Sequence, residues 1–168
     1  MANNPNSSDF TVGILGTGAM GRGVAQIMAT GGMQVLLFDT NDGAAEAGRE
    51  FAERMILRAG EKGATSDEEA RAAVARLTVV TQLSDLGGSD LVIEAVLEDL
   101  DIKRKVFTGL EEVVAEDCVL ATNTSSLSVA AIAAALNHPG RFAGFHFFNP
   151  VPLMKVVEVV NGVETTPK

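Results

Sequence analysis

The sequence predicts an α/β fold, a doubly wound and mostly parallel sheet with helices on both faces. Three observations lead there. From Phe10 onward, short continuous apolar runs alternate with longer amphipathic ones, and strands apolar on both faces belong to sheets covered on both sides. The first apolar run opens into a glycine-rich turn that leads into a helical pattern. The chain has 168 residues, enough for one domain that buries roughly 70% of its unfolded surface.

The elements follow in order. FTVGILG reads as the first strand, GRGVAQIMAT carries apolar residues at helical spacing, and MQVLLFD is a second strand ending on Asp39. Helices are expected from about Ala44 to Gly60 and from Ser66 to Ala75. LTVVT, DLVIEAV and CVLATN read as buried strands, the last two separated by the helix DLDIKRKVFTGLEEVVA. SVAAIAAAL is a further helix, and RFAGFHFF and MKVVEVV are closing strands. Residues 1–8 read as a disordered tail and 9–168 as one domain, without internal repeats.

Composition narrows the partners. The chain is 46% hydrophobic and 21% charged, with a net charge of −9 and a pI near 4.6. That field repels polyanions and anionic bilayers, so neither nucleic acid nor membrane is expected as a partner. No apolar run reaches the length of a membrane span, and the polar start MANNPNSSD lacks the marks of a signal peptide. The single cysteine, Cys118, excludes an intrachain disulfide framework and fits a reducing compartment. A cytoplasmic protein without a metal site is expected.

Gly16-Thr17-Gly18-Ala19-Met20-Gly21 is a G-x-G-x-x-G between a strand and a helix, and Asp39 ends the next strand about 20 residues on. This context points to a Rossmann-type dinucleotide site. Gly16 permits the tight turn, Gly18 admits the pyrophosphate, Gly21 lets helix and strand approach, and the helix N-terminus holds phosphate. Asp39 would accept from the ribose hydroxyls and repel a 2′-phosphate, favouring NAD over NADP. A structural turn with a solvated Asp39 is the bland alternative.

His146 lies near the end of RFAGFHFF, where open α/β sheets bind ligands. Twelve residues later Glu158 stands alone in an apolar strand, and a buried carboxylate needs a partner. A His–Glu pair suits a general base, because the carboxylate fixes the tautomer and stabilises the imidazolium. Spacing alone leaves this reading level with a core histidine and an edge glutamate. In TNTSS, Ser125 or Ser126 could cap the following helix while the other faces the site.

GILGTGAMGRGVAQ, IEAVLEDLDIKRKVF, TNTSSLS and RFAGFHFFNPVPLMKVVEVV together resemble the NAD-binding domain of the 3-hydroxyacyl-CoA dehydrogenases. The resemblance implies His146 as catalytic base, Glu158 as its orienting partner, and Ser125 against the reacting oxygen and the nicotinamide. It further implies that Glu98 and Lys103 lie against NAD, with Asn149 near the nicotinamide end. On residue type alone these three read as a helix-start acid, a solvated lysine and a turn residue. The implied reaction is the reversible oxidation of a 3-hydroxyacyl-CoA to the 3-oxoacyl-CoA, as in fatty acid β-oxidation. Arg54, Arg58 and Lys62 recur every four residues, on one helical face. That stripe offers a positive field for coenzyme A, Lys62 being the residue placed nearest by the resemblance. A solvated face with a Glu50–Arg54 ion pair competes with this.

The family carries a second, helical domain after this one, with a further active-site asparagine, part of the acyl pocket and the main homodimer contact. The sequence is expected to hold the cofactor half alone. Two alternatives stand beside the dehydrogenase: an NAD-binding module without turnover, and a related dehydrogenase of a non-CoA hydroxy acid.

Overall fold

The computed structural model describes Asn4 and residues 7–166; most of the expected N-terminal tail lies outside the described residues. Strands β1 (Thr11–Leu15), β2 (Gln34–Phe38), β3 (Leu77–Val79), β4 (Leu91–Glu94), β5 (Val119–Thr122), β6 (Phe142–Phe147) and β7 (Val157–Asn161) form one sheet. Its order is β3-β2-β1-β4-β5-β6-β7, parallel except for the β6–β7 pair. The order reverses between β1 and β4, which opens a crevice at their carboxyl ends.

The strands are apolar throughout because both faces are covered. Ile14, Leu37, Ile93 and Ala121 pack under helices α1 (Ala19–Thr30), α2 (Ala44–Glu61) and α3 (Asp67–Ala75). Their neighbours Leu15, Phe38, Val92 and Leu120 face α4 (Leu100–Glu111) and α5 (Val129–Ala133) on the other side. Phe107 of α4 meets Phe142 of β6 edge-on, ring centres 4.7 Å apart, a pair geometry favoured by the ring quadrupole. Local signals start the helices. Ser66 and Glu69 close a reciprocal capping box on α3, and Asp99 accepts from Ile102 N–H to start α4 at 2.9 Å.

Three expectations change. Ser128, rather than Ser125 or Ser126, caps α5 by accepting from Ala131 N–H, and both earlier serines turn to another partner. The closing strand begins at Val157 instead of Met154 and pairs antiparallel at the sheet edge. Its residues are exposed, Val159 at 61% and nearby Val163 at 91%, so Glu158 is no buried carboxylate. An edge strand has only one neighbour, and apolar sequence alone does not report which strand lies outermost. Among the described residues no helix is long and apolar enough to cross a membrane.

Candidate functional site

The phosphate turn is built from backbone constraints. Gly16 adopts φ +90°, which L side chains rarely adopt, and a Cβ there would stand 2.7 Å from the Ala95 carbonyl oxygen. Gly21 sits so close to the Gly16 carbonyl that a side chain would overlap it; strand and helix meet there as expected. Gly18 is different, for a Cβ on it meets nothing within 4 Å. It is the N-cap of α1, no side chain caps that helix, and Ala19 beside it is exposed. Its first-turn N–H groups are thus left for an anion. Met20 instead turns inward and packs on the core.

Asp39, at the carboxyl end of β2, is already oriented. Thr17 donates to its Oδ2 through N–H at 2.8 Å and Oγ1 at 3.0 Å. Asn41 donates to Oδ1 through N–H and Nδ2, each at 3.0 Å. Partial burial pushes the Asp39 carboxyl up, but the Thr17 and Asn41 bonds outweigh it and hold it below the usual carboxylate range. Asp39 borders a cavity of about 740 Å³ with Gly16, Gly18, Val96, Leu97 and Lys105. An apolar hollow with a fixed carboxylate on one wall and open helix amides beside it fits an adenosine diphosphate moiety.

Glu98 collects the loop after β5. Its Oε1 accepts from Thr124 Oγ1 at 2.6 Å, Ser125 N–H at 2.9 Å, and Ser126 N–H and Oγ at 3.1 Å. Burial raises its pKa, but these bonds and the nearby Lys103 charge hold it down at about 2 against an ordinary 4.5. The unfolded chain therefore takes up this proton first as pH falls. The stability Glu98 contributes is complete above about 4.5 and gone below about 2. Urea unfolding of wild type and Glu98→Gln should converge across that window; a constant difference would show that the charge carries none of it.

Lys103 is fully buried. Its Nζ lies 2.6 Å from Glu94 Oε1 and 3.4 Å from Glu98 Oε2, enclosed between the two carboxylates. It is an internal counter-ion rather than a solvated lysine. Glu94 escaped the sequence reading, although the signal was present: a lone carboxylate in the apolar run LVIEAV. Glu158 carries the same signal in its own apolar strand, yet its side chain is exposed. Thr17 had no pattern to mark it, and Thr122, Asn123 and Thr124 lie in TNTSS, where the sequence pointed to the two serines.

His146 and Glu158 are direct cross-strand partners, and Nδ1 lies 2.8 Å from Glu158 Oε2. Antiparallel register, rather than burial, brings them together. Their side chains are 22% and 56% exposed, and the imidazole rests on Phe148 with ring centres 4.6 Å apart. With Nδ1 engaged, Nε2 is the nitrogen left for a substrate. Asn123 Oδ1 accepts from Phe147 N–H at 2.9 Å, joining the loop after β5 to the strand that carries His146. Asn149 is exposed at a cis peptide bond to Pro150. The buried Val151 then packs against Gly23 of α1, seating this turn on the helix of the phosphate site.

The basic stripe is less simple than its spacing. Arg54 and Arg58 border a surface hollow of about 490 Å³ together with Glu50, Glu53 and Glu61, and the ion pair on this helix is Arg49–Glu53 at 3.0 Å instead of Glu50–Arg54. Lys62 is the exposed residue at the end of α2. Arg22 and Arg54 both face the ring of Phe51, at 3.8 and 5.3 Å.

Comparison with known proteins agrees with this architecture. The family model for 3-hydroxyacyl-CoA dehydrogenase, NAD binding domain, matches residues 11–168. The chain is 39% identical over 153 residues to a probable 3-hydroxybutyryl-CoA dehydrogenase of Bacillus subtilis, covering 91% of this chain and 53% of that protein. It is 42% identical over 155 residues to a 3-hydroxyadipyl-CoA dehydrogenase of Escherichia coli, covering 92% of this chain and 33% of that protein. The crystal structure of (S)-3-hydroxybutyryl-CoA dehydrogenase from Ralstonia eutropha aligns with a TM-score of 0.89 at 38% identity, covering 93% of this chain and 55% of that one. The chain thus spans about half the length of such relatives, or less. With a match along nearly its whole length, and the glycine turn, Asp39 and the His–Glu pair in place, the chain belongs to the 3-hydroxyacyl-CoA dehydrogenase family as its NAD-binding domain.

Proposed function

We propose that this chain is the cofactor half of an NAD-dependent 3-hydroxyacyl-CoA dehydrogenase, with His146 as general base. The observation that carries the reading is the His146–Glu158 contact at 2.8 Å on the strand beside the Ser125 loop. NAD, when bound, accepts the hydride in the oxidation and returns it in the reverse reaction. Gly16, Gly18, Ala19, Met20 and Gly21 form the turn that seats the pyrophosphate, and Asp39 takes the adenosine ribose. Glu158 holds His146 Nδ1, so Nε2 receives the hydroxyl proton of the substrate and gives it back to the ketone in reverse. Ser125 steadies the reacting oxygen. Glu98 holds the Ser125 loop against the cofactor, with Lys103 paired to its Oε2, and Asn149 borders the nicotinamide end. Lys62 and the arginines of α2 offer charge to the phosphates of an acyl-CoA. The single cysteine, Cys118, buried and without a second cysteine to pair with, supports a reducing compartment such as the cytoplasm.

NADH oxidation by acetoacetyl-CoA tests this. Turnover that disappears in His146→Ala supports the dehydrogenase. NADH binding without turnover favours the second reading, a binding module, which the exposure of Glu158 and β7 supports, since the site is open on that side. The Asp39 role has its own readout. Asp39→Ala should lower the preference for NAD over NADP, measured by binding of both; an unchanged ratio removes Asp39 from the ribose site.

A further inference from the structure

Glu94 is a fully buried carboxylate that the proposed chemistry does not use. Its Oε1 accepts from Lys103 Nζ at 2.6 Å and from Val96 N–H at 2.7 Å, and its Oε2 accepts from Thr122 Oγ1 at 2.7 Å. Its carbonyl also accepts from Asn123 N–H at 2.8 Å. One residue therefore ties together three segments around the crevice: the Ala95–Leu97 wall of the cavity, the first turns of α4, and the end of β5. The ties continue outward. Lys103 reaches Glu98, whose Oε1 gathers the donors of Thr124, Ser125 and Ser126.

Stability alone is a weak reason for such a pair. Desolvation offsets much of the attraction between buried ions, and a neutral pair of similar volume often does as well or better. Buried charge contributes direction instead. An ammonium held at 2.6 Å on one side has one place from which to meet Glu98, and Glu98 in turn has one place from which to hold the loop. Two carboxylates share that single ammonium, so Glu98 keeps its negative charge for the hydroxyl and amide donors of Thr124, Ser125 and Ser126, the Ser125 Oγ at 3.5 Å among them.

We propose that Glu94 is a positioning residue: acting through Lys103 and Glu98, it sets the Thr124–Ser126 loop and thereby the place of the Ser125 hydroxyl in the crevice. Its effect on turnover rests on the dehydrogenase reading; its effect on the loop does not.

The deciding variant is Glu94→Gln/Lys103→Met. Glutamine still offers an acceptor to Val96 N–H and a donor to Thr122 Oγ1, so only the charges are lost. Amide exchange of the wild type and the variant would be compared at Ser125 and Ser126, with Ile14 in β1 as a core reference. Protection at Ile14 should persist while exchange at both serines rises about tenfold or more, as expected when a charge-assisted hydrogen bond weakens. Turnover with acetoacetyl-CoA should fall about 10²-fold, the scale of a misplaced reacting group. Glu94→Gln alone should loosen the same two amides. Wild-type exchange at the serines in the double variant overturns the proposal. Failure of that variant to fold overturns it as well, since the pair would then be a stability element. A wild type without turnover whose variant still loosens the loop refutes the dehydrogenase reading and leaves the role of Glu94 standing.

Discussion

His146→Gln is expected to lower turnover about 10²–10⁴-fold, the usual contribution of general acid–base catalysis, with NADH affinity nearly unchanged. The side chain stands on β6, whereas the phosphate turn and Asp39 stand at the ends of β1 and β2, so the two functions separate along the sheet. Stopped-flow turnover and NADH titration on the same samples check this. Equal losses in both would make His146 a structural residue. Glu158→Gln should follow the same pattern with a smaller loss. At 56% exposure its charge is screened by water, and exposed pairs contribute about 0.2–1 kcal/mol. Burial of Glu158, as the apolar strand suggested, would have predicted the larger effect.

Lys103→Met should destabilise the fold by about 3–5 kcal/mol, the cost of leaving a buried charge without its partner. Glu94 would keep Val96 and Thr122 as donors but lose the ammonium at 2.6 Å. Adding Glu94→Gln removes the stranded charge and should return most of the loss. Urea unfolding midpoints of the single and double variants measure both. Two equal losses would mean that packing of the lysine stem, rather than its charge, carries the stability.

Much of the fold was legible because its signals are local. Continuous apolar strands and a strand–glycine turn–helix junction each depend on residues a few positions apart. The same holds for the phosphate turn and Asp39, whose spacing is imposed by one βαβ unit. His146 and Glu158 were marked by residue type and position, yet their meeting depends on antiparallel register.

The sequence by itself determined the alternating architecture, the phosphate turn and the candidate base, since backbone conformation and apolar periodicity act over short stretches. Only the tertiary structure decided which charges are buried. It exposed Glu158 on an edge strand, enclosed Lys103 between Glu94 and Glu98, and turned Ser125 and Ser126 toward Glu98. The physical reason is that burial and pairing depend on which strands end up central and which helix covers them. Those are contacts between distant parts of the chain, and the residue pattern within any one segment does not contain them.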